Sequence, residues 1–192
     1  MKLLRHLPNA LSITRGLCGI PILLLTLQDL WIEAFWLTLI AGASDGLDGW
    51  LAKRYGWQSR FGAGIDPIAD KVLLLSALIA LTLGQDIPLW FLLLALARDV
   101  CIVLGAYLFN ARYHGFTPQP SLLGKVTTLS LIVMTLLELG THAYRWPLHP
   151  LLDFWLWLTA ALLVASWLNY GWRWHVMSKN ALKELALKGK AP

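Results

Sequence analysis

Six apolar segments of about 20 residues each dominate this sequence and restrict its fold to membrane-spanning helices. They cover roughly residues 10–29, 32–53, 62–84, 87–110, 122–141 and 149–172. Hydrophobic residues make up 57% of the 192 residues and charged residues only 14%, a composition that excludes a soluble domain of this size. Because hydrocarbon cannot satisfy backbone N–H and C=O groups, each segment must be helical. The sequence therefore predicts an all-α integral membrane protein with six transmembrane helices.

One membrane domain is expected to use almost the whole chain, from residue 1 to 176, with a basic cytoplasmic tail at 177–192. Met1–Leu7 combines leucines with two basic residues, so we expect a short segment that lies along the membrane surface. Met1–Asn9 has a positive start but is followed by no small-residue cleavage site, so no cleavable signal peptide is expected.

The placement of Lys and Arg predicts the orientation in the membrane. With a cytoplasmic N-terminus, the basic residues of the loops and tail fall on one side, and only Arg145 lies in the opposite loops. Both termini are therefore expected to be cytoplasmic, and the basic tail suits an anionic lipid leaflet better than nucleic acid. Cys18 and Cys101 stand far apart in apolar segments and are expected to be free thiols.

Four aspartates interrupt the second and third apolar segments: Asp45, Asp48, Asp66 and Asp70. If these segments are antiparallel helices joined near Trp57, Asp45 pairs in depth with Asp70, and Asp48 with Asp66. The first two are spaced i and i+3 and the last two i and i+4, so each pair shares one helix face. The four carboxylates are thus predicted to face one another near the cytoplasmic surface.

A cluster of about four negative charges in an apolar setting needs compensating cations. Carboxylate oxygens without nearby His or Cys favour Mg²⁺, Mn²⁺ or Ca²⁺ over Zn²⁺. Two such ions about 3.5–4 Å apart can clamp a diphosphate and stabilise charge that moves from attacking to leaving oxygen. The aspartates therefore predict a two-metal site for phosphoryl-type transfer, and simple solvation or pairing with nearby Lys and Arg residues is the alternative.

This spacing resembles a known family signature. Asp45-x2-Asp48-Gly49-x2-Ala52-Lys53-x8-Gly62-x3-Asp66-x3-Asp70 is similar to the motif of the CDP-alcohol phosphatidyltransferases. Every spacing matches, and the single departure is Lys53, where the family usually has Arg. Pro8-Asn9-Ala10-Leu11-Ser12-Ile13-Thr14-Arg15 is similar to a second, weaker family motif.

The resemblance implies transfer of a phosphatidyl group from CDP-diacylglycerol to an alcohol, with release of CMP, by a homodimer in a membrane, here expected to be a bacterial inner membrane. It implies two Mg²⁺ or Mn²⁺ ions on the four aspartates, with Asp70 also the general base. By the same resemblance, the nucleotide would be contacted by Gly49, Ala52, Lys53, Gly62, Asn9 and Ser12. The residues expected near the acceptor or its phosphate are Arg15, Arg98 and Lys125.

The acceptor alcohol is less well specified. Pro67 and Lys71, together with Arg98-Asp99, resemble the branch that makes phosphatidylglycerophosphate or cardiolipin. We expect phosphatidylglycerol as the acceptor, with glycerol 3-phosphate as the alternative. An internal ion pair of Arg98 with Asp99 or Asp70 is the alternative to a phosphate contact.

An ion-coupled transporter would also carry intramembrane carboxylates. Such a protein is expected to show internal repeats and a site near the bilayer midplane. No repeat is evident, and the acids lie on one helical hairpin near one surface. Tight, metal-dependent binding of CDP or CMP would distinguish the enzyme from the transporter.

Overall fold

The computed structural model describes residues 7–55, 60–113 and 121–188. In these ranges six helices follow one another: α1 (Leu7–Leu27), α2 (Trp31–Tyr55), α3 (Arg60–Leu83), α4 (Leu89–Tyr113), α5 (Leu122–Tyr144) and α6 (His149–Lys188). The described residues include no β-strand. The all-α prediction is confirmed, and each predicted apolar segment corresponds to one helix. The expected surface segment lies, apart from Leu7, outside the described residues.

Three of the described helices are long and apolar enough to cross a membrane. They contain the stretches Leu89–Leu108, Leu122–Tyr144 and His149–Lys179. At about 1.5 Å per residue, the shortest stretch, of 20 residues, matches the roughly 30 Å of a hydrocarbon core. Shorter apolar stretches occupy Ser12–Leu27 and Trp31–Ser44 in α1 and α2. The chain is therefore a membrane protein, and three of the six predicted spans meet these criteria.

The last helix is longer than the sequence pattern predicts. α6 has 40 residues, which corresponds to about 60 Å. It runs on without interruption from the apolar span into residues 177–188, the first part of the expected tail. A helix about twice as long as the hydrocarbon core is thick must tilt or project from it. The expected tail thus begins as a continuation of α6.

The described residues of Met1–Leu89 and Ile132–Leu152 form one compact unit. In this first unit α1 packs against both α2 and α3. Buried side chains from all three helices make its core: Ile22, Ala41, Leu73 and Ala77. Cys18 packs against this core, and like Cys101 it is a free thiol, as predicted.

The end of α1 is closed by a residue in the left-handed conformation. Asp29 has φ 58°, and the Leu30 N–H donates to the Leu25 carbonyl at 3.0 Å. This six-to-one bond is the mark of a Schellman motif, in which a left-handed residue satisfies the last helical carbonyls. Gln85, with φ 67°, repeats the arrangement after α3. Both helices therefore end sharply at residues other than glycine.

A polar and aromatic cluster joins the end of α3, the start of α2 and the end of α5. His142 Nε2 lies 2.9 Å from Asp86 Oδ1, and the His142 ring stacks on Trp31 with centroids 4.1 Å apart. Burial raises the pKa of Asp86 above its usual 3.8, while His142 opposes the shift and Asp29 adds to it. The pair of Asp86 and His142 thus brings the end of α3 and the end of α5 together.

The second unit contains the described residues of Trp90–Leu131 and Asp153–Pro192. Buried hydroxyl groups link α5 to α6 within it. Ser130 and Thr159 share a hydrogen bond of 2.7 Å, and Thr127 Oγ1 donates to the Leu162 carbonyl at 3.2 Å. Each such interhelical bond contributes on the order of 0.6–2 kcal/mol in a membrane. These bonds fix the register of α6 against α5.

Candidate active site

The four aspartates lie on two neighbouring helices in the chain. Asp45 and Asp48 belong to α2, and Asp66 and Asp70 belong to α3. The i, i+3 and i, i+4 spacings therefore fall within helices, so the two aspartates of each pair lie on one helix face. Of the four side chains only that of Asp70 is among the described residues. Whether the four carboxylates face one another remains a prediction.

Asp70 is held by a buried arginine from α1. The guanidinium Nη1 of Arg15 donates to Asp70 Oδ1 in an ion pair. The Arg15 side chain is 1% exposed and that of Asp70 is 42% exposed. A buried guanidinium requires such a partner, because an uncompensated charge in an apolar interior is costly. The Arg15 guanidinium is therefore in direct contact with Asp70, the residue predicted to be the general base.

Two glycines of α1 make this contact possible. A Cβ added at Gly16 would lie 3.5 Å from Ala69, and one added at Gly19 would lie 2.6 Å from Ser76 Oγ. The α1 backbone therefore approaches α3 more closely than a side chain at Gly19 would permit. Arg15 precedes these glycines on α1, and Ala69 precedes Asp70 on α3. The close approach thus sets the distance between the guanidinium and the carboxylate.

The residues predicted to contact the nucleotide are only partly described. Ser12 is 1% exposed and lies one turn before Arg15, on the same side of α1. The other five lie on α1, α2 or α3, with side chains outside the described set: Asn9, Gly49, Ala52, Lys53 and Gly62. Their predicted roles are neither supported nor contradicted by side-chain geometry.

The donor set fits a hard divalent cation. Every predicted ligand is a carboxylate, and Asp70, the described one, keeps part of its surface accessible. Among the described side chains no group of three or more His, Cys, Asp and Glu is arranged to hold a metal. Binding of Mg²⁺ or Mn²⁺ by the four carboxylates together stays a prediction.

A second polar centre surrounds Arg98 in α4. Its Nη1 group donates to Asp99 Oδ1 at 2.7 Å, and its Nη2 group donates to Ser166 Oγ at 3.0 Å and the Gly124 carbonyl at 3.4 Å. The side chain is 7% exposed. Its Nε–H group is buried and has no hydrogen-bond partner among the described residues. Such an orphaned donor costs about 1–3 kcal/mol, so it favours an additional oxygen ligand.

The start of α5 lies beside Arg98, whose Nη2 group donates to the Gly124 carbonyl. Ser121 Oγ accepts from the Gly124 N–H at 3.0 Å and so caps the start of α5. Tyr170 Oη accepts from the Ser121 N–H at 3.2 Å. Lys125 is exposed in the first turn. The partial positive charge of the helix start thus adds to that of two basic side chains.

Ser166 and Tyr170 were not among the residues predicted from the sequence. Both lie on α6 at an i, i+4 spacing, and both contact the polar centre around Arg98. Two polar residues one turn apart on an apolar helix were a visible signal of a shared polar surface. The predicted pairing of Arg98 with Asp99, given as the alternative to a phosphate contact, is present.

Comparison with known proteins agrees with the aspartate motif. A family model described as CDP-alcohol phosphatidyltransferase matches residues 5–165. A cardiolipin synthase (CMP-forming) of Streptomyces coelicolor is 34% identical over 176 residues, covering 86% of this chain and 74% of the relative. A CDP-diacylglycerol--glycerol-3-phosphate 3-phosphatidyltransferase of Aquifex aeolicus is 32% identical over 172 residues, covering 86% and 93%. A relative in Rickettsia bellii with the same name is 31% identical over 176 residues, covering 88% and 96%.

Proposed function

Since this chain belongs to the CDP-alcohol phosphatidyltransferase family and is an enzyme of that class, we propose that it transfers a phosphatidyl group from CDP-diacylglycerol to a glycerol-type alcohol and releases CMP. The observation that carries the proposal is the aspartate pattern on α2 and α3, whose last member is engaged by the buried Arg15. A charge-compensated carboxylate beside further carboxylates is suited to metal-dependent transfer of a phosphorus group.

In the proposed reaction the acceptor oxygen forms a bond to the phosphorus that carries diacylglycerol. The bond from that phosphorus to the bridging oxygen breaks, and CMP leaves. Asp70 takes the proton of the acceptor hydroxyl, and Arg15 keeps the Asp70 carboxylate oriented. Asp45, Asp48, Asp66 and Asp70 would hold two Mg²⁺ or Mn²⁺ ions, which supply positive charge to the diphosphate and acidify the hydroxyl when bound.

The cytidine part of the substrate is proposed to lie against the α2 and α3 backbones. Gly49, Ala52 and Gly62 would leave room for it, since small residues permit close approach to a helix. Lys53 would contact the phosphates as a point charge, where an arginine would bind two oxygens at once. Asn9 and Ser12 on α1 are proposed to contact the nucleotide from the other side.

The phosphate of the acceptor is proposed to bind Arg98 and Lys125. The buried Nε–H of Arg98 and the start of α5 support this assignment, because both favour an anionic oxygen. Phosphatidylglycerol is the acceptor that we propose, which would give cardiolipin, and glycerol 3-phosphate is the alternative. Relatives of similar identity carry names of both kinds, so similarity alone does not separate the two acceptors.

We further propose that all six helices cross the membrane, that both termini and the aspartates face the cytoplasm, and that two copies form a homodimer in a bacterial inner membrane. α1 and α2 each contain an apolar stretch, Ser12–Leu27 and Trp31–Ser44, and the predicted site residues of these helices lie in or beside those stretches.

CMP release by the purified protein tests the proposal. Given CDP-diacylglycerol and Mg²⁺, the protein should release CMP when phosphatidylglycerol or glycerol 3-phosphate is added, and chelation of the metal should stop the reaction. Absence of CMP release with either acceptor would refute the proposed function. An ion-coupled transporter would show neither this release nor tight, metal-dependent binding of CDP.

Two substitutions test the assigned roles. Asp70→Asn keeps the shape of the side chain and an oxygen that accepts from the Arg15 guanidinium, but it cannot take a proton, so turnover should be abolished while the protein stays folded. Lys53→Arg should keep or raise activity, because it restores the residue usual in the family motif. Normal turnover of Asp70→Asn would contradict its role as the base.

A further inference from the structure

The exposed side of α6 carries an open groove of about 910 Å³ within the second unit. This volume lies in the range of roughly 300–1,000 Å³ that is usual for sites of small ligands. Leu123 of α5 forms one wall, and the rest of the lining comes from α6, chiefly from the exposed Trp167, Leu168 and Trp172. The α6 residues that contact the polar centre around Arg98 lie on the opposite side of the helix. The groove is therefore separate from that centre.

A glycine in the lining exposes the helix backbone to the groove. Gly171 lies four residues after Trp167 and four before His175, so all three are on one side of α6. A Cβ added at Gly171 would meet nothing within 4 Å. Because glycine permits close approach to a helix, an acyl chain can lie directly against α6 at this point.

One end of the groove is basic. His175 belongs to the lining, and Lys179, one turn further on, is exposed on the same side of α6. No acidic residue occurs from 154 to 179, and Lys179 forms no ion pair with another described residue. The hydrocarbon core takes about 20 residues of the 31-residue apolar stretch His149–Lys179, so Lys179 reaches the region of the lipid headgroups.

The unbroken course of α6 keeps the groove and this charge on one face. Leu168, Trp172, His175 and Lys179 follow one another at spacings of four, three and four residues, which keep side chains on one side of a helix. An apolar face alone is common to all helices that contact lipid. Here the order from apolar to aromatic to basic matches the order from acyl chain to glycerol ester to phosphate in a phospholipid.

We infer that this face of α6 binds one anionic phospholipid, with an acyl chain along Leu168, Gly171 and Trp172 and its phosphate at His175 and Lys179. The imidazole can donate a hydrogen bond to a phosphate oxygen, and the ammonium group supplies an opposite charge. A zwitterionic lipid carries a cation beside its phosphate, which Lys179 would repel. The site therefore selects lipids by the charge of the headgroup.

The experiment measures the binding of phosphatidylserine and of phosphatidylcholine with identical acyl chains to the full-length protein in detergent, by native mass spectrometry. The first lipid is anionic, the second is zwitterionic, and neither is an acceptor in the proposed reaction. The wild type should bind one phosphatidylserine about fivefold more tightly than phosphatidylcholine. Lys179→Gln should remove this preference, because one basic residue near a lipid surface contributes about 1 kcal/mol, equivalent to about fivefold.

Two matched controls separate the site from general effects of charge and bulk. Arg173→Gln removes the same charge from another side of α6, so it should leave the preference unchanged. Gly171→Leu fills the groove and should weaken the binding of both lipids by a similar factor. Gly42→Leu makes the same change on α2, where an added Cβ also meets nothing within 4 Å, and should affect neither lipid.

Equal affinities of the wild type for the two lipids, or a preference that Lys179→Gln leaves unchanged, would overturn the inference. It also fails if Gly171→Leu changes the ratio of monomer to dimer but not lipid binding, because a second copy of the chain then covers this face. Lys179→Gln alters an exposed side chain and keeps the inference testable if Gly171→Leu does not fold. No measurement here requires CMP release, so the outcome is independent of the proposed function.

Discussion

The contact between α1 and α3 can be tested at Gly19. A Cβ at this position would lie 2.6 Å from Ser76 Oγ, 3.2 Å from Ser76 Cβ and 3.3 Å from the Val72 carbonyl oxygen. Rotation of the Ser76 hydroxyl relieves the first contact, but the other two involve atoms that the helix backbone holds in place. Gly19→Ala must therefore push α1 away from α3.

The expected cost follows from a comparison with Gly42 on α2, where an added Cβ would meet nothing within 4 Å. Replacement of a helical glycine by alanine gains about 1 kcal/mol at either site. Overpacking costs about 1–3 kcal/mol and arises only at Gly19. The difference in unfolding free energy between Gly19→Ala and Gly42→Ala isolates the overpacking cost, because the gain in helix propensity is the same for both and cancels.

Thermal unfolding in detergent measures this difference in stability between the two variants. Each kcal/mol should shift the melting temperature by roughly 2–4 °C for a chain of this size. Gly19→Ala should melt below Gly42→Ala, and it should lose CMP-releasing activity because Arg15 moves away from Asp70. Adding Ser76→Ala to Gly19→Ala should recover part of the stability. Equal melting temperatures for the two glycine variants would refute the argument that α1 and α3 are in close contact at this point.

Two further predictions concern other parts of the chain. A Cβ at Gly105 would overlap the indole of Trp174, whereas one at Gly171 would meet nothing within 4 Å, so Gly105→Ala should lower the melting temperature and Gly171→Ala should not. Burial raises the pKa of Asp86, so its contribution to stability is fully present below 3.8 and is lost as pH rises through the folded-state pKa. The melting temperature of the wild type relative to Asp86→Asn should therefore rise as pH falls toward about 4, and a difference independent of pH would contradict the shift.

The sequence predicted the helices because their signal is local. Long apolar segments must be helical in a membrane, and the observed helices follow the six segments. The aspartate pattern could also be interpreted from the sequence, because residues three or four apart on a helix lie on the same face. The pairing of Arg98 with Asp99 also involves residues close in sequence, and the sequence analysis gave it as an alternative to a phosphate contact.

Contacts between distant helices required the tertiary structure. Arg15 and Asp70 are 55 residues apart, and Ser166 meets Arg98 across 68 residues. A hydrophobic pattern shows that a helix is buried but does not show which neighbour each face meets, because that depends on close packing at residues such as Gly19. The sequence by itself thus determined the helices and the aspartate motif. The packing of α1 on α3 and of α6 on α5 decided which residues support Asp70 and Arg98.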